Sequence, residues 1–344
     1  MVRGSYLARL AIVIALGLIL CVTAGAVYNA VANLYLQHRY PAPGKLFVVN
    51  GSKMHLYCTG SGSPTVVLDS GLGDDWLVWQ KVQPELSKIT HVCSYDRAGL
   101  GWSDPQHGPR GALTISEQLH SLLQQARVPG PLLLIGHSAG GLYARAFAGK
   151  YPAEVTGIVF VDASSPEAFH ALPSRQERDM LRQARHQKAF WLWLNEVTGW
   201  QRLSGNCDRL TRKGLEEYAN FAKAEACRPP FVNSWLGEWD DFESSADDVA
   251  KLSCCGTLPI LVISRDPNIG QLDTDAQRLH NPTWASVQES LKNLSTRSRR
   301  IIARNSGHYV LIDRPEVITR NVQHLIQELR GLAHGAEDGS TIVQ

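Results

Sequence analysis

The sequence predicts an α/β fold: a mostly parallel central sheet with helices on both faces. Three observations carry this. Short apolar runs without alternation recur at residues 65–68, 132–135, 158–161 and 260–263; such runs mark strands buried on both faces. Stretches with helical spacing separate them, as connections between parallel strands require. Gly136-His137-Ser138-Ala139-Gly140 then stands between an apolar run and a small-residue helix. A serine between two glycines at a strand-to-helix turn reads as a nucleophile elbow.

The elements follow in order. Residues 10–37 form one uncharged, largely apolar segment, which Pro41-Ala42-Pro43-Gly44 ends. Residues 46–49 and 54–58 read as strands joined through Asn50-Gly51, a strong hairpin signal. Strands follow at 65–68 and 91–95, with a helix-like stretch around 79–86 between them. Ile115, Leu119, Leu122 and Leu123 recur on one side of a helix over 114–126. After the 136–140 turn, strands are expected at 158–161, 260–263 and 301–303. Segment 164–251 breaks the alternation and carries Trp191, Trp193, Trp200, Trp235 and Trp239. It reads as a helical cap inserted into a core of residues 41–163 and 252–335. Residues 1–40 read as a transmembrane anchor or signal segment, and 336–344 as a flexible tail.

At 344 residues and 44% hydrophobic content, the chain can bury a large core. Its formal charge of +2, without a basic block, argues against nucleic acid as a partner. No Cys or His spacing suggests a metal site, and nothing calls for a cofactor. About 20 apolar residues cross a bilayer as a helix, so 10–37 suffices. Arg3 and Arg9 precede it, which places the N-terminus in the cytoplasm and the remainder outside. Ala24-Gly25-Ala26 offers a signal-cleavage alternative, giving a secreted or periplasmic protein. Apolar character past Ala26 favours the uncleaved anchor. Seven cysteines fit export. Cys207 and Cys227 are expected to bridge, a loop closure of about 3 kcal/mol. The adjacent Cys254 and Cys255 are not expected to pair with each other.

Acyl transfer needs a nucleophile, a base and a group that orients the base. Ser138 is the expected nucleophile. His308, in the loop after the last strand, is the expected base. Asp266, after the strand at 260–263, is the expected acid, in the order Ser, Asp, His. Asp162, at the end of the strand after the elbow, is the alternative acid. The oxyanion needs preorganised backbone donors. The N–H groups of Ala139 and of Leu72, in the glycine-rich loop 70–73, are the candidates.

Four motifs together resemble the α/β-hydrolase superfamily over roughly residues 45–330: Asp69-Ser70-Gly71-Leu72-Gly73, the Tyr95-Asp96-Arg97-Ala98-Gly99-Leu100-Gly101-Trp102-Ser103 loop, the elbow, and Ser306-Gly307-His308. The resemblance implies the α/β-hydrolase fold. It also implies a bracing role for the 95–103 loop, so Asp96 and Arg97 receive no catalytic role. Two departures matter. Ser70-Gly71 stands where many relatives carry His-Gly, which leaves the backbone donor intact. Ser264-Arg265-Asp266-Pro267 lacks a glycine before the aspartate, which keeps Asp162 open.

A serine at the elbow disfavours the epoxide- and halide-processing relatives, which use a carboxylate there. The expected activity is hydrolysis of a small-molecule, hydrophobic carboxylic ester, with the membrane as the other partner through the N-terminal helix. Acyl transfer, perhydrolysis and aminopeptidase cleavage are neighbouring chemistries on the same fold. A membrane-tethered, non-catalytic binding module is the alternative of a different class.

Overall fold

The computed structural model describes residues 2–167, 175–209, 212–225, 227–269 and 275–331. Its eight strands are β1 (Lys45–Val49), β2 (Ser52–Thr59), β3 (Thr65–Asp69), β4 (Val92–Tyr95), β5 (Leu132–His137), β6 (Val155–Val161), β7 (Ile260–Arg265) and β8 (Ser298–Ala303). They form one sheet in the order β1-β2-β4-β3-β5-β6-β7-β8. The first two strands make the expected hairpin, with Asn50 and Gly51 at φ 50° and 81°. Both turn residues are left-handed, which Asn and Gly adopt at least cost. β2 also runs antiparallel to β4, and every later pairing is parallel. All residues of β3, β4 and β5 are buried, as sheet covered on both faces requires. β3 and β5 lie side by side where the strand order reverses, the crevice at which such sheets gather their sites.

The helices are α1 (Val2–Arg39), α2 (Gln83–Leu86), α3 (Ala112–Gln125), α4 (Ala139–Lys150), α5 (Arg175–Val197), α6 (Trp200–Leu203), α7 (Ala219–Glu225), α8 (Pro229–Asp240), α9 (Phe242–Ala250), α10 (Asp275–Lys292), α11 (Val310–Asp313) and α12 (Pro315–Leu329). The helix-like stretch expected around 79–86 is a 3-10 turn, Trp76–Trp79, followed by the short α2. The Asp75 carboxylate starts that turn early by accepting from Leu77 N–H.

The chain divides into two compact units, Met1–Ala42 with Gln183–Asn233, and Pro43–Arg182 with Ser234–Gln344. The insertion expected as one cap over 164–251 is therefore shared between them. In the sheet-bearing unit, α9 packs on α3 and α4. In the other unit, α1 packs on α6 and α7. There Asn29 Nδ2 donates to Glu196 O (2.8 Å), and Arg202 donates to Asn29 Oδ1 and Asn33 Oδ1 (3.0 and 2.7 Å). The Cys207–Cys227 bridge is present, and Cys58–Cys93 joins β2 to β4. Cys254 and Cys255 are bonded to each other, contrary to expectation. α1 is long and apolar enough to cross a membrane by length and composition, with a mean hydropathy of 2.8 over an 18-residue window, as anchors and signal sequences both are. The tail expected at 336–344 lies outside the described residues.

A close backbone approach brings the start of α4 against the end of β3. A Cβ on Gly140 would strike the carbonyl oxygen of Asp69, which a β3 residue cannot move aside. Gly140→Ala is expected to lose about 1–3 kcal/mol of unfolding free energy despite alanine's better helix propensity. Urea denaturation of the detergent-solubilised full chain measures it.

Candidate active site

Ser138 is the residue on which α4 begins, at φ 53° and ψ −120°. A non-glycine residue held there stores about 1–3 kcal/mol of strain and needs its surroundings to enforce it. They do so through hydrogen bonds. Ser138 N–H donates to Val161 O (3.2 Å), while Ser138 O accepts from Gly141 N–H (3.1 Å) and Ser164 N–H (2.8 Å). The motif glycines follow from the same turn, because a Cβ on Gly136 would meet the backbone of Gly140 and Gly141. Ser138 itself is half-buried while its neighbours His137 and Ala139 are buried.

His308 reaches this turn from the loop after β8. Its carbonyl oxygen lies 3.0 Å from His137 Nε2, and the two rings sit 4.7 Å apart. The base candidate is thus held beside the residue preceding Ser138. Its Nδ1 lies 2.6 Å from Oδ2 of Asp162, the residue directly after β6. Asp162 is fully buried. Its Oδ1 accepts from Trp284 Nε1 (2.9 Å) and Arg265 N–H (3.1 Å). Burial pushes this carboxyl up, but the His308 hydrogen bond and charge, Arg265 and Trp284 outweigh it and hold the carboxyl below the ordinary aspartate value. An ionised carboxylate only accepts, so the proton of a neutral His308 sits on Nδ1 and leaves Nε2 with its lone pair.

The expected acid, Asp266, is not on the histidine. Its Oδ1 accepts from Asn268 N–H (2.9 Å) and its Oδ2 from Asn305 N–H (3.0 Å), while its own N–H donates to Ser306 O (3.0 Å). Asp266 therefore pins the loop that carries His308 and does not orient the ring. The physical reason is strand order. β6 is the neighbour of the elbow strand β5, and β7 lies one strand farther out. Asp162 at φ 41° turns its carboxylate into the space that the His308 ring enters.

The loop after β3 touches the elbow from the other side. A Cβ on Gly71 would lie 3.3 Å from Ser138 Cβ and 3.1 Å from His137 Nδ1. Leu72 packs against the cluster that contains Ala139 and Leu142. Among the described residues neither Leu72 N–H nor Ala139 N–H donates a hydrogen bond within the fold. Arg97 shapes this loop from below. Fully buried, it donates to Ser70 O (2.9 Å) and Gly71 O (2.6 Å), and pairs with Asp69 (3.0 Å) and Glu238 (2.7 Å). Glu238, on α8, also accepts Gly73 N–H at 3.0 Å. Asp69 takes the Tyr95 hydroxyl as well, and burial raises its carboxyl to about 6 against the pull of Arg97. Asp96 serves a separate brace, accepting from Trp76 N–H and Trp102 N–H and facing His55 at 2.7 Å.

The sequence reading missed Glu238 and Trp284. The signal for Glu238 was a lone acid within Trp235-Leu236-Gly237-Glu238-Trp239, a charge where an apolar helix face offers no solvent. Trp235 packs on Gly73, whereas Trp191 and Trp200 are exposed. Cys58, His91 and Cys93 bring their ligand atoms within 4.8 Å of one another. The Cys58–Cys93 bond occupies both sulfurs, and a metal takes thiolates.

A model described as "Alpha/beta hydrolase family" matches residues 66–320. An uncharacterized protein of Schizosaccharomyces pombe is 37% identical over 158 residues, which is 37% of this chain and 30% of that one. The chain spans between 30% and 40% of the length of the first such relatives it matches. Among solved structures, a thermophilic esterase from Thermogutta terrifontis superposes at TM-score 0.58 with 20% identity, covering 83% of this chain and 98% of that one. The epoxide hydrolase CorEH does so at 0.54 with 19% identity, covering 83% and 99%.

Glu238→Gln leaves Arg97 buried with half its counter-charge. Breaking a buried pair by removing one partner costs about 3–5 kcal/mol. A urea midpoint lowered accordingly is expected, against a near-neutral Lys88→Gln, whose ion pair with Glu85 is exposed.

Proposed function

The chain belongs to the alpha/beta hydrolase family, and from that premise we propose that it is a serine hydrolase cleaving a hydrophobic carboxylic ester. The observation that carries the reading is the buried Asp162 hydrogen-bonded to His308 Nδ1 beside a serine in the strained elbow conformation. In this reading His308 Nε2 takes the hydroxyl proton as Ser138 Oγ attacks the ester carbonyl carbon. The carbonyl π electrons move onto oxygen, where the N–H groups of Leu72 and Ala139 receive the charge. His308 returns the proton to the departing alkoxide, leaving an acyl-Ser138. Water, deprotonated by His308, repeats the sequence and releases the acid. Asp162 holds the ring in the productive tautomer and stabilises the imidazolium between the two proton transfers.

The serine favours ester chemistry over epoxide opening, which needs a carboxylate at the elbow. The apolar N-terminal helix and the aromatic-rich insertion support an apolar substrate. We read α1 as an uncleaved anchor with the sheet-bearing unit outside the cytoplasm. Support comes from Gly25, which packs against the backbone of Thr198 and Gly199 and which cleavage after Ala26 would remove.

Activity-based labelling tests the proposal. A fluorophosphonate is expected to modify the full chain at one serine, and Ser138→Ala is expected to abolish labelling without lowering the unfolding midpoint. Folded protein that takes no label would instead favour a binding module without turnover.

A further inference from the structure

We propose that the face of α5 and α6 bearing Trp191, Trp200 and Leu203 is bedded in the bilayer leaflet on the catalytic side. The first unit would then be held by lipid contact as well as by α1. The inference rests on reading α1 as the spanning anchor.

The geometry of α1 points there. Residues 6–24 are exposed on every side. From Gly25 onward a stripe through Asn29 and Asn33 turns inward onto the unit, while Val27, Tyr28, Val31, Leu34 and Tyr35 stay exposed on the opposite face. At 1.5 Å per residue, the apolar face from residue 10 to 35 is about 38 Å long. The hydrocarbon layer is about 30 Å thick, and about 40–45 Å with its headgroups. The docked half of α1 therefore reaches into the headgroup layer, and whatever packs on Gly25 stands at leaflet depth.

What packs there is the junction between α5 and α6. A Cβ on Gly25 would strike the carbonyl of Thr198 and lie 3.9 Å from Leu203 Cδ1, and a Cβ on Gly199 would strike the backbone of Gly25. Trp200 and Leu203 flank this crossing, and each is 59% exposed. Phe190 and Trp191, in edge-to-face contact on α5, are more than half exposed as well.

Charge settles what such a face suits. Between Ala189 and Asn206 the charged residues are Glu196 and Arg202. Glu196 is buried, and Arg202 is spent on Asn29 and Asn33. From Ala189 onward the pair presents tryptophan, phenylalanine and leucine beside a spanning helix, while Lys188, one turn before Trp191, is exposed. Apolar and aromatic side chains with a flanking lysine have the chemistry of an interfacial lipid contact.

Fluorescence from the full chain in phosphatidylcholine vesicles tests this. Cys21 is the free cysteine among the described residues, so a polarity-sensitive label on it reports α1 itself. In a Cys21→Ser background, labels at Leu203→Cys and, independently, Trp191→Cys report the proposed face, and Lys251→Cys reports an exposed site in the other unit. Labels at 203 and 191 are expected to emit blue-shifted light and be quenched by acyl-chain doxyl lipids. Aqueous iodide should quench them about five-fold less than at 251, as partial burial in the headgroup boundary requires. If 203 and 191 match 251 while Cys21 is lipid-quenched, the anchor stands and this inference is overturned. If the Cys21 label is also aqueous, the anchor reading fails and takes the inference with it.

Discussion

The backbone at Ser138 is the constraint on which the site depends. A serine at φ 53° and ψ −120° cannot persist by itself, and its neighbours supply what it lacks. Three backbone hydrogen bonds tie it to the ends of β6 and to the first turn of α4. Glycines at 136 and 140 let strand and helix approach to a distance that a methyl group would prevent. The result is a side chain set at the point where the loops after β3, β5 and β6 meet. His308 comes to that point because its carbonyl is held by His137, and its ring because Asp162 lies buried beneath it.

A second constraint is ionic and lies under the loop after β3. Arg97 is buried, and its guanidinium is satisfied by two carboxylates and two carbonyl oxygens. Buried ion pairs rarely add net stability over apolar packing, but they punish any displacement of a partner. Here the partners are β3 through Asp69, the loop carbonyls of Ser70 and Gly71, and α8 through Glu238. The same Glu238 holds Gly73 N–H. The cluster therefore fixes the loop whose Leu72 N–H is assigned to the oxyanion, at the cost of making that loop intolerant of charge changes.

Much of this was legible in the sequence. The apolar runs gave the strands, because each is buried on both faces. Asn50-Gly51 gave the hairpin, and the glycine–serine–glycine pattern gave the turn. The identity of the residue on His308 was not legible, because Asp162 and Asp266 both follow apolar strands and differ only in which strand neighbours β5. Sequence order says nothing about that adjacency. Glu238 was missed for a similar reason: 141 positions separate it from Arg97, and no local pattern records a partner so distant.

The central claim is that the buried carboxylate directly after β6, and not the one after β7, prepares His308 to activate Ser138. Steady-state ester hydrolysis by Asp162→Asn and Asp266→Asn, each compared with the unaltered chain, tests it most directly. Asn at the orienting position favours the wrong tautomer and lowers kcat by about four orders of magnitude in such triads. The account predicts a loss of that size for Asp162→Asn, with Asp266→Asn keeping most of its kcat and losing stability as the 305–306 loop loosens. A crippled Asp266→Asn beside a fully active Asp162→Asn would contradict it.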